Sequence, residues 1–166
     1  MTGSAVIGLG NPLMGDDGFG LVALARLRDE WTLEGVELAD GGTWGLSLLP
    51  LVEDAERLVL LDAIAAGVLP GEMVVLERDR LPIYLSRKLS PHQIDMRDVL
   101  AVAEWRGKLP LETVAIGVQP QLVEMGLGLS PAVDRAVETA VGLVIERLLQ
   151  WGHRCEPREP AAACTR

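Results

Sequence analysis

Short runs of uninterrupted apolar residues alternate with helix-patterned stretches along almost the whole chain. Ala5-Val6-Ile7-Gly8-Leu9, Val36 to Leu38, Arg57 to Leu61, Met73 to Leu76 and Thr113 to Val118 read as strands. Helical patterns run from about Phe19 to Trp31, from Leu46 to Val52 and from Pro91 to Trp105. A strand that is apolar at consecutive positions needs cover on both faces, and strands separated by helices run mainly parallel. The alternation therefore predicts an α/β domain. In such folds ligands bind beyond the carboxyl ends of the strands. That directs attention to the loop after the first strand, to the end of the third strand and to the neighbouring strand-end loops.

The last helix is the clearest element. Ser130 suits its N-cap and Pro131 its first turn. Val133, Val137, Ala140, Val141, Val144, Ile145, Leu148 and Leu149 then fall on one stripe, and Gly152 ends the helix. The following residues, 153–166, are short of apolar periodicity and read as a flexible C-terminal tail behind a single domain of residues 1–152. A chain of 166 residues fits one domain with a sizeable core. With only 4% aromatic residues, that core must be built from Leu, Val, Ala and Ile. Cys155 and Cys164 both sit in the tail, so the body carries neither a disulfide framework nor a thiolate metal site.

The formal charge of −9 repels phosphate backbones, which argues against a nucleic-acid partner and is compatible with cations or a basic peptide. No run approaches the ~18 apolar residues of a membrane span, so no membrane insertion is expected. No signal-peptide pattern precedes the first strand, and a cytoplasmic protein is expected.

The first loop, Gly8-Leu9-Gly10-Asn11-Pro12-Leu13-Met14-Gly15-Asp16-Asp17-Gly18-Phe19-Gly20, begins like two phosphate-binding motifs and completes neither. Leu13 stands where a dinucleotide fingerprint needs its third glycine, and Asp16-Asp17 stand where a P-loop needs Lys and Ser/Thr. Two carboxylates there would repel phosphate and suit a cation. A cap for the helix near Phe19 needs only one of them, which leaves the other available as a ligand. Asp62 ends the third strand, where it either serves a site or caps the following turn. His92, in Leu89-Ser90-Pro91-His92-Gln93, is the sole imidazole of the body. At a helix start the dipole favours its neutral, metal-ligating form; the alternative is an ordinary surface or capping histidine. Asp17, Asp62 and His92 together supply two oxygens and one nitrogen, a set suited to a borderline divalent ion with open positions. Asp40-Gly41-Gly42-Thr43 also falls at a strand end, either as a close approach to a ligand or as a plain tight turn.

The opening loop resembles the signature of the hydrogenase maturation proteases. Asp40-Gly41-Gly42-Thr43, Leu61-Asp62-Ala63, Leu89-Ser90-Pro91-His92-Gln93 and Ile116-Gly117-Val118-Gln119-Pro120 match further blocks of that family in order, over about residues 4 to 152. The resemblance implies a three-layer α/β/α sandwich around a mainly parallel, about five-stranded twisted sheet. It implies an endopeptidase that removes the C-terminal extension of a nickel–iron hydrogenase large-subunit precursor after nickel insertion. It also implies that Asp17, Asp62 and His92 contact nickel carried by the substrate, with other divalent ions such as cadmium or zinc able to substitute. The family often carries Glu at the position of Asp17, so either Asp16 or the shorter Asp17 is the ligand. The body has no Cys and no Gly-x-Ser-x-Gly elbow, and with His92 committed to metal a Ser–His pair lacks its base. Asp17 or Asp62 activating water remains, with the metal polarising the scissile carbonyl. A non-catalytic metal-sensing chaperone or scaffold for the precursor would use the same three ligands.

Overall fold

The computed structural model describes residues 3–42, 45–81 and 96–159. The chain opens with β1 (Ser4–Leu9). A 3-10 turn (Gly15–Gly18) runs into α1 (Phe19–Glu30), followed by β2 (Trp31–Leu33) and β3 (Val36–Gly42). A second 3-10 turn (Gly45–Leu48) leads to α2 (Leu49–Asp54), β4 (Arg57–Ala63) and β5 (Met73–Glu77). Then come α3 (Met96–Trp105), β6 (Glu112–Val118), α4 (Pro131–Gln150) and β7 (Cys155–Pro157).

Five strands form the central sheet in the order β3-β1-β4-β6-β5. All neighbours are parallel except β5, which lies antiparallel to β6 at one edge. The apolar strands feed two cores by simple alternation. Ala5, Ile7, Leu9, Leu58, Leu60 and Ala115 join Val52 of α2 and Val99, Leu100 and Ala103 of α3 on one face. Val6, Val59, Leu61, Val114, Ile116 and Val118 pack with Phe19, Ala23, Leu24 and Leu27 of α1 and with the stripe of α4 on the other. This is the expected α/β/α arrangement. Among the described residues, no helix is long and apolar enough to cross a membrane.

Three expectations are corrected. The helix read as running to Trp31 stops at Glu30, because Trp31 is already extended (φ −129°, ψ 144°) and starts β2. The tail does not leave the domain at His153: Cys155–Pro157 pairs antiparallel with Trp31–Leu33, and Arg158 N–H donates to Glu30 O at 2.7 Å. His153 Nδ1–H donates to Glu34 O at 3.0 Å, leaving Nε2 to accept from the buried Ser4 hydroxyl at 2.7 Å. Gly41, after Asp40, lies within a strand and not in a tight turn. Gly41 is the extra residue of a bulge in β3, since Gly8 pairs with Asp40 and Leu9 with Gly42. Its missing side chain makes room for Ile7, whose Cγ2 would lie 2.7 Å from a Cβ there. Of the helix expected over 91–105, Met96–Trp105 is described, and 91–95 lie outside the described residues.

Candidate active site

β1 and β4 are adjacent, and their register sets Gly8 opposite Leu61. The loop that leaves β1 therefore begins beside Asp62. Gly20 brings the far end of that loop back to the same place. A Cβ on Gly20 would lie 2.2 Å from Leu61 O and 2.5 Å from Leu9 O, so only glycine lets α1 seat its first turn on both strand ends. The 3-10 turn Gly15–Gly18 packs against β4 as a result. Asp16 and Asp17 lie within that turn.

The two adjacent carboxylates have separate environments. Asp17 is half-buried, and its Oδ2 accepts one hydrogen bond, from Asn11 N–H at 2.9 Å. Gly10 holds this fold of the loop with φ +114°, and a Cβ there would collide with Asp17 O at 1.8 Å. Asp16 is fully buried. Its Oδ1 accepts from Ser130 N–H at 2.7 Å. Its Oδ2 accepts from Gln121 N–H at 2.8 Å, Leu122 N–H at 2.9 Å and the Ser130 hydroxyl at 2.9 Å. Burial by itself pushes this carboxyl up. The N–H groups of Ser130, Leu122 and Gln121 and the Ser130 hydroxyl outweigh it and hold Asp16 below its ordinary range.

Neither aspartate caps α1, contrary to the sequence expectation. The 3-10 turn runs straight into the helix, and its N-cap is Gly18, with helical φ −75° and ψ −1° and no side-chain bond. Ser130 does occupy the N-cap of α4, yet its hydroxyl goes to Asp16 and not to the helix.

Asp62 is fully buried at the end of β4, and its Oδ1 accepts from Ala63 N–H at 2.9 Å. The segment beyond it is pinned by Gln119, whose Oε1 accepts from Ala66 N–H at 2.8 Å and Gly67 N–H at 3.0 Å. Gln119, Ser130 and the segment between them are parts of the site that the sequence reading did not assign. Their signals were position and pattern: Gln119 directly follows a strand of the central sheet and falls in the Ile116–Pro120 block, and Ser130 reads as a helix N-cap. Asp17 and Asp62 thus stand at one end of the central strands. His92 lies outside the described residues, as do Thr43, Ser90 and Pro91. Among the described residues, no three His, Cys, Asp or Glu side chains are grouped to hold a metal ion. Asp17 and Asp62 offer anionic oxygen, the donor type hard and borderline cations take; both oxygens of Asp16 are turned to Gln121, Leu122 and Ser130.

Residues 23–147 match the hydrogenase maturation protease family. The match begins inside α1, so the Asp16-Asp17 loop lies ahead of it. Curated relatives extend across that loop's region. The hydrogenase expression/formation protein HupD of Rhodobacter capsulatus is 39% identical over 150 residues, covering 89% of this chain and 71% of the relative. The hydrogenase 2 maturation protease of Escherichia coli is 34% identical over 156 residues, covering 93% and 95% respectively. Among solved structures, the hydrogenase maturating endopeptidase HybD from E. coli superposes with a TM-score of 0.88 at 33% identity, over 94% of this chain and 98% of that one. A [NiFe] hydrogenase maturation protease from Thermococcus kodakarensis gives 0.70 at 25% identity, over 89% and 93%.

Proposed function

The chain belongs to the hydrogenase maturation protease family, and from that membership we propose that it is the endopeptidase that removes the C-terminal extension of a nickel–iron hydrogenase large-subunit precursor once nickel is inserted. In this reading nickel enters with the substrate and is read by Asp17, Asp62 and His92, so that only metallated precursor is cut. The observation that supports it most directly is the sorting of the carboxylates. Asp16 is held by four donors, whereas Asp17, next to it, accepts one hydrogen bond and lies in the turn that packs against β4, near whose end Asp62 stands.

Cleavage needs a nucleophile, and water activated by a carboxylate is the chemistry these residues can supply. Asp17 or Asp62 takes a proton as water adds to the scissile carbonyl, and that proton then goes to the leaving amine. The substrate's metal would favour the addition by polarising the carbonyl. The test is mass spectrometry of a purified large-subunit precursor after incubation with the protein, with and without nickel. Shortening of the nickel-loaded form alone supports the reading. Full-length precursor held in a stable complex would instead make the protein a non-catalytic chaperone or scaffold.

A further inference from the structure

The segment joining β6 to α4 contains no strand or helix, yet it is tied closely to the loop that carries Asp17. Gly15 N–H donates to Gly126 O and Gly126 N–H to Leu13 O, both at 2.9 Å, and Asp16 N–H donates to Leu122 O at 2.9 Å. Asp16 completes the tie from inside by taking the three amides and one hydroxyl described above. A carboxylate offers about four acceptor positions; Oδ2 takes three donors and Oδ1 one, and all four donors belong to this one segment.

What the segment carries outward is mainly apolar, with Gln121 and Glu124 exposed among these residues. Met125 is 88% exposed and Leu127 84%, with Leu122 and Val123 also exposed, and the exposed Leu13 accepts the Gly126 N–H through its backbone oxygen. Single exposed apolar side chains are ordinary; a contiguous set on a fixed support marks an interaction surface. The segment that carries this one is hydrogen-bonded to the loop of Asp17 at Leu122 and Gly126. The surface is thus fixed to the same loop that presents Asp17.

We infer that Asp16 is a positioning residue that fixes segment 121–130 as the substrate-facing wall of the cleft, and that the ledge of Leu122, Val123, Met125 and Leu127 seats an apolar stretch of the precursor next to its cleavage point. This rests on the protease reading above. Asp16 itself touches neither metal nor substrate; it acts through the wall it holds.

The test compares wild type, D16N and the exposed double variant M125S/L127S. All three are assayed for binding and cleavage of nickel-loaded large-subunit precursor and for Cd²⁺ affinity by calorimetry. An asparagine at 16 keeps one oxygen, so either Ser130 N–H or the Gln121 and Leu122 N–H pair meets an amino group. D16N should raise KM for the precursor at least about tenfold with kcat changed much less, and should leave Cd²⁺ affinity within about twofold. M125S/L127S, which disturbs no buried contact, should show the same rise in KM with an unchanged melting temperature. Unchanged KM in M125S/L127S overturns the ledge. A D16N protein that is folded and less heat-stable but has normal KM overturns the positioning role, and one that loses Cd²⁺ makes Asp16 a ligand instead. If wild type binds precursor without cutting it, the protease reading fails, and weakened binding by both variants still upholds the wall.

Discussion

Ser130 gives both its backbone N–H and its hydroxyl to Asp16, at 2.7 and 2.9 Å, across 114 residues of chain. The two residues stand at the entrances of α4 and of the turn that leads into α1, so a single carboxylate holds together the starts of the two helices that cover one face of the sheet. α1 and α4 pack on each other along the same face.

Acid should loosen this junction first. Asp16 is held below its ordinary range in the fold, so its ionised form is the one the folded state favours. The sign follows: the stabilisation is complete above the unfolded carboxyl value of ~3.9, and is lost as pH falls through the lower folded value. Thermal melts across this acid range should fall more steeply for wild type than for D16N, which has no titrating group there. Parallel curves would mean that Asp16 contributes nothing to acid stability.

Much of the architecture was legible locally. The five strands of the central sheet and α4 follow from runs and stripes whose signals lie within a few residues of each other. β2 and β7 escaped because their pairing joins Trp31 to Pro157, and three-residue strands carry no periodicity of their own. At the site, Asp17 and Asp62 were readable as acids at strand ends. The difference between Asp16 and Asp17 was not. Two adjacent aspartates are identical in composition and differ only in which distant amides reach them, and Gln121, Leu122 and Ser130 are more than a hundred residues away along the chain.

Residues 153–159 should matter for stability. Truncation after Gly152 removes β7, the Arg158–Glu30 bond and the imidazole that satisfies the buried Ser4 hydroxyl. H153A alone strands that hydroxyl and should cost about 1–3 kcal/mol, read as a lower midpoint in urea. Truncation after Glu159 keeps every one of these bonds and should melt like the full chain. Equal midpoints for the short and long truncations would show that the β2–β7 pair carries no stability.

Gly20 is where helix, β1 and β4 meet. G20A puts a methyl group within 2.2 Å of Leu61 O, a backbone atom that cannot swing aside. Overpacking of this kind costs about 1–3 kcal/mol or more. Because relief requires α1 to lift from the strand ends, the same variant should lose precursor cleavage below its melting temperature. A stable, fully active G20A would mean that the helix entrance does not set the position of the Asp17 loop.

Asp17, Asp62 and Asp16 can be separated by one substitution applied to each. Asp17 accepts one N–H, from Asn11, and an asparagine oxygen can still accept it, so D17N should fold while losing a charge and an anionic donor. D62N keeps an oxygen for Ala63 N–H and loses its charge in the same way. If these two oxygens hold the cation, each variant should bind Cd²⁺ at least about a hundredfold more weakly, since even the partners of metal ligands typically cost 10–100-fold when removed. D16N should bind nearly as well as wild type, because both oxygens of Asp16 are engaged by Gln121, Leu122 and Ser130. H92A should abolish processing of nickel-loaded precursor if the imidazole completes the set. Calorimetric titration of Cd²⁺ into the aspartate variants reads the binding, mass spectrometry of the precursor reads processing by H92A, and circular dichroism verifies folding of all four. Loss of binding confined to D16N would move the ligand one position back along the loop. Undiminished binding in D17N and D62N would remove the cation from this end of the sheet.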